Sequence, residues 1–190
     1  MKNIAIFASG NGSNFEAIVT AVKAGRINAN VRMLVCDKPE AMVITRARWL
    51  GVPVFECNPQ DFPNRAAHEG QILASLKDAG VEFIVLAGYM RIIGKTLLGA
   101  YGGKIINIHP SLLPQFPGLD AIEKALTSAT TYTGVTVHYV DEGVDTGPII
   151  AQRRVRIWPG DTLETLEERV HKVEHELYVE VLGELFGMKS

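Results

Sequence analysis

From Ile4 to Ile108 the chain alternates short apolar runs with stretches of helical spacing, and few folds accept that order. The runs are Ile4–Ala8, Val31–Cys36, Val52–Phe55, Glu82–Ala87 and Lys104–Ile108. They are short and largely apolar, as strands buried on both faces of a parallel sheet are. Between them lie three stretches with helical periodicity, Ser13–Ala24, Ala41–Leu50 and Asn64–Ala79, and Gly25 and Gly51 close the first two. Strand–helix alternation predicts an α/β fold with a mainly parallel sheet. The last third changes character. Gly134–Val140 alternates, and Pro148–Ile157 reads as another strand; the short segment between them favours an antiparallel pair. The expected sheet is therefore mixed, with about seven strands and helices on both faces. Pro159-Gly160 precedes a final helix. Asp161 and Glu164 fit a capping box, and Leu163, Leu166, Val170, Val173 and Leu177 form its apolar stripe.

Composition limits the partners. The 190 residues, 47% of them hydrophobic, suit one domain with a sizeable core, and no repeat or linker divides them. A net charge of -2 implies no general attraction to nucleic acid or to an anionic membrane, so a bound anion needs a local site. The N-terminal apolar run is too short for a signal peptide, and no stretch approaches the ~20 apolar residues of a membrane span. Cys36 and Cys57 make neither a CxxC pair nor a disulfide framework, as expected of reduced cysteines in a cytoplasmic protein.

Several segments could carry chemistry. Gly10-Asn11-Gly12-Ser13-Asn14 joins the first strand to the first helix, where close backbone approach and free N–H groups suit a phosphate. A plain capped turn explains it almost as well. A dinucleotide site is disfavoured, because Phe15 stands at the third glycine position. Asn107 and His109 lie two apart in a strand, so they face the same way at its carboxyl end, an amide donor beside a proton carrier. A polar pair satisfying local backbone is an equal alternative. Asp145 is an ordinary loop acid unless its loop folds over His109. His171-Lys172-Val173-Glu174-His175 fits the inverted zinc motif HxxEH, but no third ligand follows; a polar helix face or a surface for ribose and phosphate is preferred. Ala87–Ile93 could line either a slot for a flat heterocycle or the core.

Taken together, these segments resemble the folate-dependent formyltransferases. The resemblance rests on Asn107-Ile108-His109-Pro110-Ser111-Leu112-Leu113-Pro114, Asp145-Thr146-Gly147-Pro148, Gly134–Asp141 and Ala87–Ile92. Ser9–Asn14 and Glu174-His175 point to the members that formylate glycinamide ribonucleotide. The resemblance implies a Rossmann-like half over 1–100 and a catalytic and folate-binding half over 101–190. It implies a catalytic group of Asn107, His109 and Asp145. Gly12, Ser13, Asn14, His171 and Glu174 would hold the substrate. Arg65, Met90, Arg91, Ile92, Ile93, Asp141 and Asp145, with Asn107, would line the site of the co-substrate 10-formyltetrahydrofolate. No metal is implied, and the partners would be small molecules, with room for a homodimer. The chain departs from many members at His171, where Gln is common, and at Val179, where Pro is common. A deformylase, another folate formyltransferase and a non-catalytic nucleotide-binding module remain the alternatives.

Overall fold

The computed structural model describes residues 1–187, so the last three residues of the expected 1–190 unit lie outside the described ones. The elements are β1 (Lys2–Ala8), α1 (Ser13–Lys23), β2 (Ala29–Cys36), α2 (Met42–Trp49), β3 (Val54–Glu56), a 3-10 turn (Pro59–Asp61), α3 (Arg65–Asp78), β4 (Phe83–Leu86), α4 (Lys95–Tyr101), β5 (Ile105–His109), α5 (Ala121–Thr127), β6 (Tyr132–Tyr139), β7 (Ile149–Arg156) and α6 (Leu163–Phe186). They form one seven-stranded sheet in the order β3-β2-β1-β4-β5-β6-β7. The first five strands are parallel. Direction reverses at β6, which pairs antiparallel with β5 and, as expected, with β7.

Alternate residues of β1 feed two cores. Ile4, Ile6 and Ala8 pack with α1, α2, α5 and α6; Ala5 and Phe7 pack with α3 and α4. Burial on both faces explains why this strand shows no polar alternation. Tyr178 ties α6 to the sheet: its fully buried hydroxyl donates to the Leu86 and Ile106 carbonyls at 2.7 and 3.2 Å. No helix among the described residues is long and apolar enough to cross a membrane.

Sequence spacing missed α4 and α5, each seven residues long and too short to display a period. Helix α4 owes its start to a distant residue. The buried Glu69 carboxylate accepts from Gly94 N–H at 2.6 Å and Leu97 N–H at 3.1 Å. The capping box of α6 is shifted by one residue: Thr162 and Thr165 form it. Asp161 instead accepts from Trp158 N–H and binds Arg169 at 2.8 Å. At the sheet edge, the Arg154 and Arg156 guanidinium groups lie over Tyr132, and Arg156 also stacks on Trp158 at 4.3 Å.

Candidate active site

A cleft of about 730 Å³ opens at the carboxyl edge of the parallel strands. The loops leaving β1, β2, β4 and β5 supply Ser9–Asn14, Lys38, Ala87–Ile93 and Pro110. It therefore spans the neighbours β1 and β4, where strand order reverses and ligands of open sheets bind. A larger groove of about 1070 Å³ lies between α1 and α6, lined by surface side chains of both charges. The Asn107–His109–Asp145 group faces the smaller cleft and not this groove.

Asn107 and His109 do share a face of β5. Across the ladder Asn107 sits opposite His138, and His109 opposite Thr136. The segment after β6 returns over that face and brings Asp145 to both imidazoles. Asp145 Oδ2 is 3.4 Å from His109 Nδ1, and Asp145 Oδ1 is 3.6 Å from His138 Nε2. The second separation is too long for a hydrogen bond, and the buried His138 Nε2 has no other partner. Gly118 N–H donates to Asp145 Oδ2 at 2.8 Å. His109 Nε2 lies 2.8 Å from the Phe116 carbonyl, which can only accept, so that nitrogen carries a proton. Burial pushes the Asp145 carboxyl up. The His138 ring, the Gly118 N–H and the nearby His109 outweigh it and hold the acid below its usual range. Asp145 itself adopts a left-handed backbone, with φ 56°, a conformation that Asp tolerates better than most residues.

The glycine-rich turn lies at the other end of the cleft. Gly12 is the N-cap of α1, with φ 83° and no side-chain cap, so neither Ser13 nor Asn14 caps the helix. A Cβ at position 12 would stand 2.5 Å from Val43 Cγ2, so the glycine is required by packing against α2 as well as by its backbone angle. Ser13, Asn14, His171 and Glu174 line the same cleft. Asn14 Oδ1 is buried without a partner. The two histidines of the HxxEH stretch diverge. His171 Nδ1 meets the buried Glu174 at 2.5 Å, whereas His175 Nε2 meets Ser13 Oγ at 2.9 Å. Donating to the Glu174 carboxylate raises the His171 pKa, and burial lowers that of His175. Among the described residues no three His, Cys, Asp or Glu side chains converge as metal ligands.

Met90, Arg91, Ile92, Ile93 and Asp141 line the remaining wall. Met90 N–H is fixed by Ser9 Oγ at 2.9 Å. Asp141 accepts from Gly143 N–H at 2.9 Å and Thr146 Oγ1 at 2.7 Å, which folds its loop. Arg65 is not among the lining residues; it opens α3 beside Gly94. Sequence reading overlooked His138, Lys38 and Leu119. Alternation in β6 places His138 on the face of Thr136, away from Val135 and Val137, but its pairing with Asn107 across the ladder is what separates it from a core histidine. Leu119 and Val144 are exposed apolar side chains, and with Met90 and Ile92 they form an apolar rim.

A sequence model of the formyl transferase family matches residues 2–182. Phosphoribosylglycinamide formyltransferase of Bacillus subtilis (strain 168) is 56% identical over 190 residues, 100% of this chain and 97% of that one. The Escherichia coli (strain K12) protein of the same name is 36% identical, across 95% of this chain and 85% of its own length. The crystal structure of glycinamide ribonucleotide transformylase 1 from Geobacillus kaustophilus matches with a TM-score of 0.96 and 60% identity, covering 98% of this chain and 100% of that chain.

Proposed function

The chain belongs to the formyl transferase family, and from that premise we infer that it moves the formyl group of 10-formyltetrahydrofolate to the amine of 5-phosphoribosylglycinamide, a step of purine synthesis. One observation supports the residue roles above all: Asn107, His109 and Asp145 meet in a cleft with an uncapped helix N-terminus at one end and an apolar rim at the other.

Gly12, Ser13 and Asn14 offer the substrate phosphate the N–H groups of the α1 first turn. His171 and Glu174 line its phosphoribosyl part. The rim of Met90, Ile92, Leu119 and Val144 fits a flat heterocycle, with Arg91, Ile93 and Asp141 beside it and Arg65 toward the folate tail. The co-substrate supplies a formyl group carried on nitrogen. The Asn107 amide and protonated His109 donate to the formyl oxygen as negative charge builds there. Because the Phe116 carbonyl holds the Nε2 proton of His109, the ring or the 116–118 turn shifts when that oxygen arrives. The attacking amine sheds a proton and the departing folate nitrogen gains one, and the His109–Asp145 pair serves that transfer. Residues 1–100 thus carry the phosphate end, and residues 101–190 carry the catalytic group.

Incubation with 10-formyltetrahydrofolate, with and without 5-phosphoribosylglycinamide, tests the assignment. Tetrahydrofolate and the formylated amide should appear together and only when the amine is present. Release of formate without it would identify a deformylase, and no turnover would leave a binding module. A cytoplasmic location is part of the same proposal, which also admits a homodimer that sedimentation would detect.

A further inference from the structure

We propose that Arg46, on the side of α2 that meets the start of α1, is a positioning residue that turns the backbone N–H groups of the glycine-rich loop toward the substrate phosphate; this rests on the loop being the phosphate site. Its guanidinium makes three contacts. Nε donates to the Asn11 carbonyl at 2.7 Å, Nη2 donates to Asn11 Oδ1 at 3.0 Å, and Nη1 pairs with Glu16. One helical turn earlier, Val43 N–H donates to the Gly10 carbonyl at 3.0 Å. Two consecutive loop carbonyls are therefore drawn toward α2. In a planar trans peptide the C=O and the following N–H point opposite ways. The N–H groups of Asn11 and Gly12 consequently face away from α2. They continue the row formed by the free first-turn N–H groups of α1, a concave set of donors suited to an anion. Glu16 neutralises the guanidinium, so Arg46 acts through this orientation rather than through net charge. A flexible ammonium cannot reproduce the fork that grips both Asn11 oxygens.

The test compares the native protein, Arg46→Ala and Arg46→Lys by calorimetry with 5-phosphoribosylglycinamide and with its dephosphorylated riboside, and by steady-state kinetics. The native protein should bind the phosphorylated compound far more tightly than the riboside. Arg46→Ala should weaken binding of the phosphorylated compound on the order of tenfold, the scale of one hydrogen bond to a charged group. Riboside affinity, the folate KM and kcat at saturating substrate should each stay within about twofold, a spread smaller than one such bond produces. Arg46→Lys should recover little of the loss. If the native protein does not discriminate between the two compounds, the loop is not the phosphate site. If it discriminates and Arg46→Ala does so equally well, the loop assignment stands and the role of Arg46 is refuted. Full recovery by Arg46→Lys would show that a point charge suffices, which also overturns the proposal. Should Arg46→Ala fail to fold, Asn11→Ala removes one of the gripped oxygens and should weaken phosphate binding in the same selective way; unchanged affinity there would count against the clamp.

Discussion

Asp145→Asn removes a charge while keeping the shape and the left-handed backbone of the loop, because Asn, like Asp, accepts a φ of 56°. The carboxylate it deletes is nearly buried and lies 3.4 Å from His109 Nδ1. At that separation of 3.4 Å, and an effective dielectric of about 20, a carboxylate and an imidazolium attract by about 5 kcal/mol. That figure bounds the effect from above, since Asn still offers a dipole. Proton transfer through a positioned side chain contributes about 10²- to 10⁴-fold. We therefore expect kcat to fall by roughly 10²- to 10³-fold, equivalent to about 3–4 kcal/mol. Affinity for 5-phosphoribosylglycinamide should hold, because the phosphate site proposed for it is the glycine-rich turn, which does not contact Asp145. The assay is steady-state turnover of both substrates, beside a urea titration to show that the variant folds. The folded carboxyl is held below its usual range, so Asp145 contributes stability above the ordinary pKa of about 3.9, and this is lost as pH falls through the lower folded value. The variant should lack that acid-side loss. Turnover within about fivefold of native, well short of the range for acid–base groups, would refute the pairing of Asp145 with His109.

Glu69→Ala should cost about 1–3 kcal/mol in denaturant unfolding, because two buried N–H groups lose their acceptor, and it should raise the folate KM through the adjoining Ile93–Gly94 segment. An unchanged unfolding midpoint would show that α4 does not need this cap. Tyr178→Phe should cost about 1–2 kcal/mol, since the Leu86 and Ile106 carbonyls lose a shared donor; equilibrium unfolding measures it. The raised pKa of His171 predicts stability that is complete below the ordinary histidine value of 6.5 and lost as pH rises through the higher folded value. NMR titration of His171 should place its midpoint above 6.5, and Glu174→Gln should bring it down.

The parts of this molecule that repeat were legible in the sequence. The period-two geometry of a strand placed Asn107 and His109 on one face, and the apolar run before a glycine-rich turn located β1 and the start of α1. Features that depend on long-range contact were not. Asp145 looked like any loop acid until its segment folded back on β5, a consequence of β6 running against β5. Glu69 sits in a polar-looking helical stretch, and nothing nearby announces that it caps a helix 25 residues away. Arg46 reads as an exposed cation of α2, because its grip on Asn11 joins positions 35 residues apart. His138 alternated correctly with its neighbours, yet an imidazole among strand residues is indistinguishable from a core histidine until its partner across the ladder is known.

The arginine-bearing β7 also governs how this sheet meets other molecules. A terminal strand presents an open row of N–H and C=O groups, the template on which a second strand aggregates. At the opposite end the sheet stops with β3, whose three residues are too few to recruit a stranger. Strand β7 has eight residues and cannot rely on brevity. Instead Arg153, Arg154 and Arg156 crowd its last half, and Tyr132 and Trp158 pin two of the guanidinium groups in place. Arg153 is paired with Glu180, so joining two such edges would bring the remaining four guanidinium groups, Arg154 and Arg156 of each copy, along one ladder, which disfavours edge-to-edge pairing.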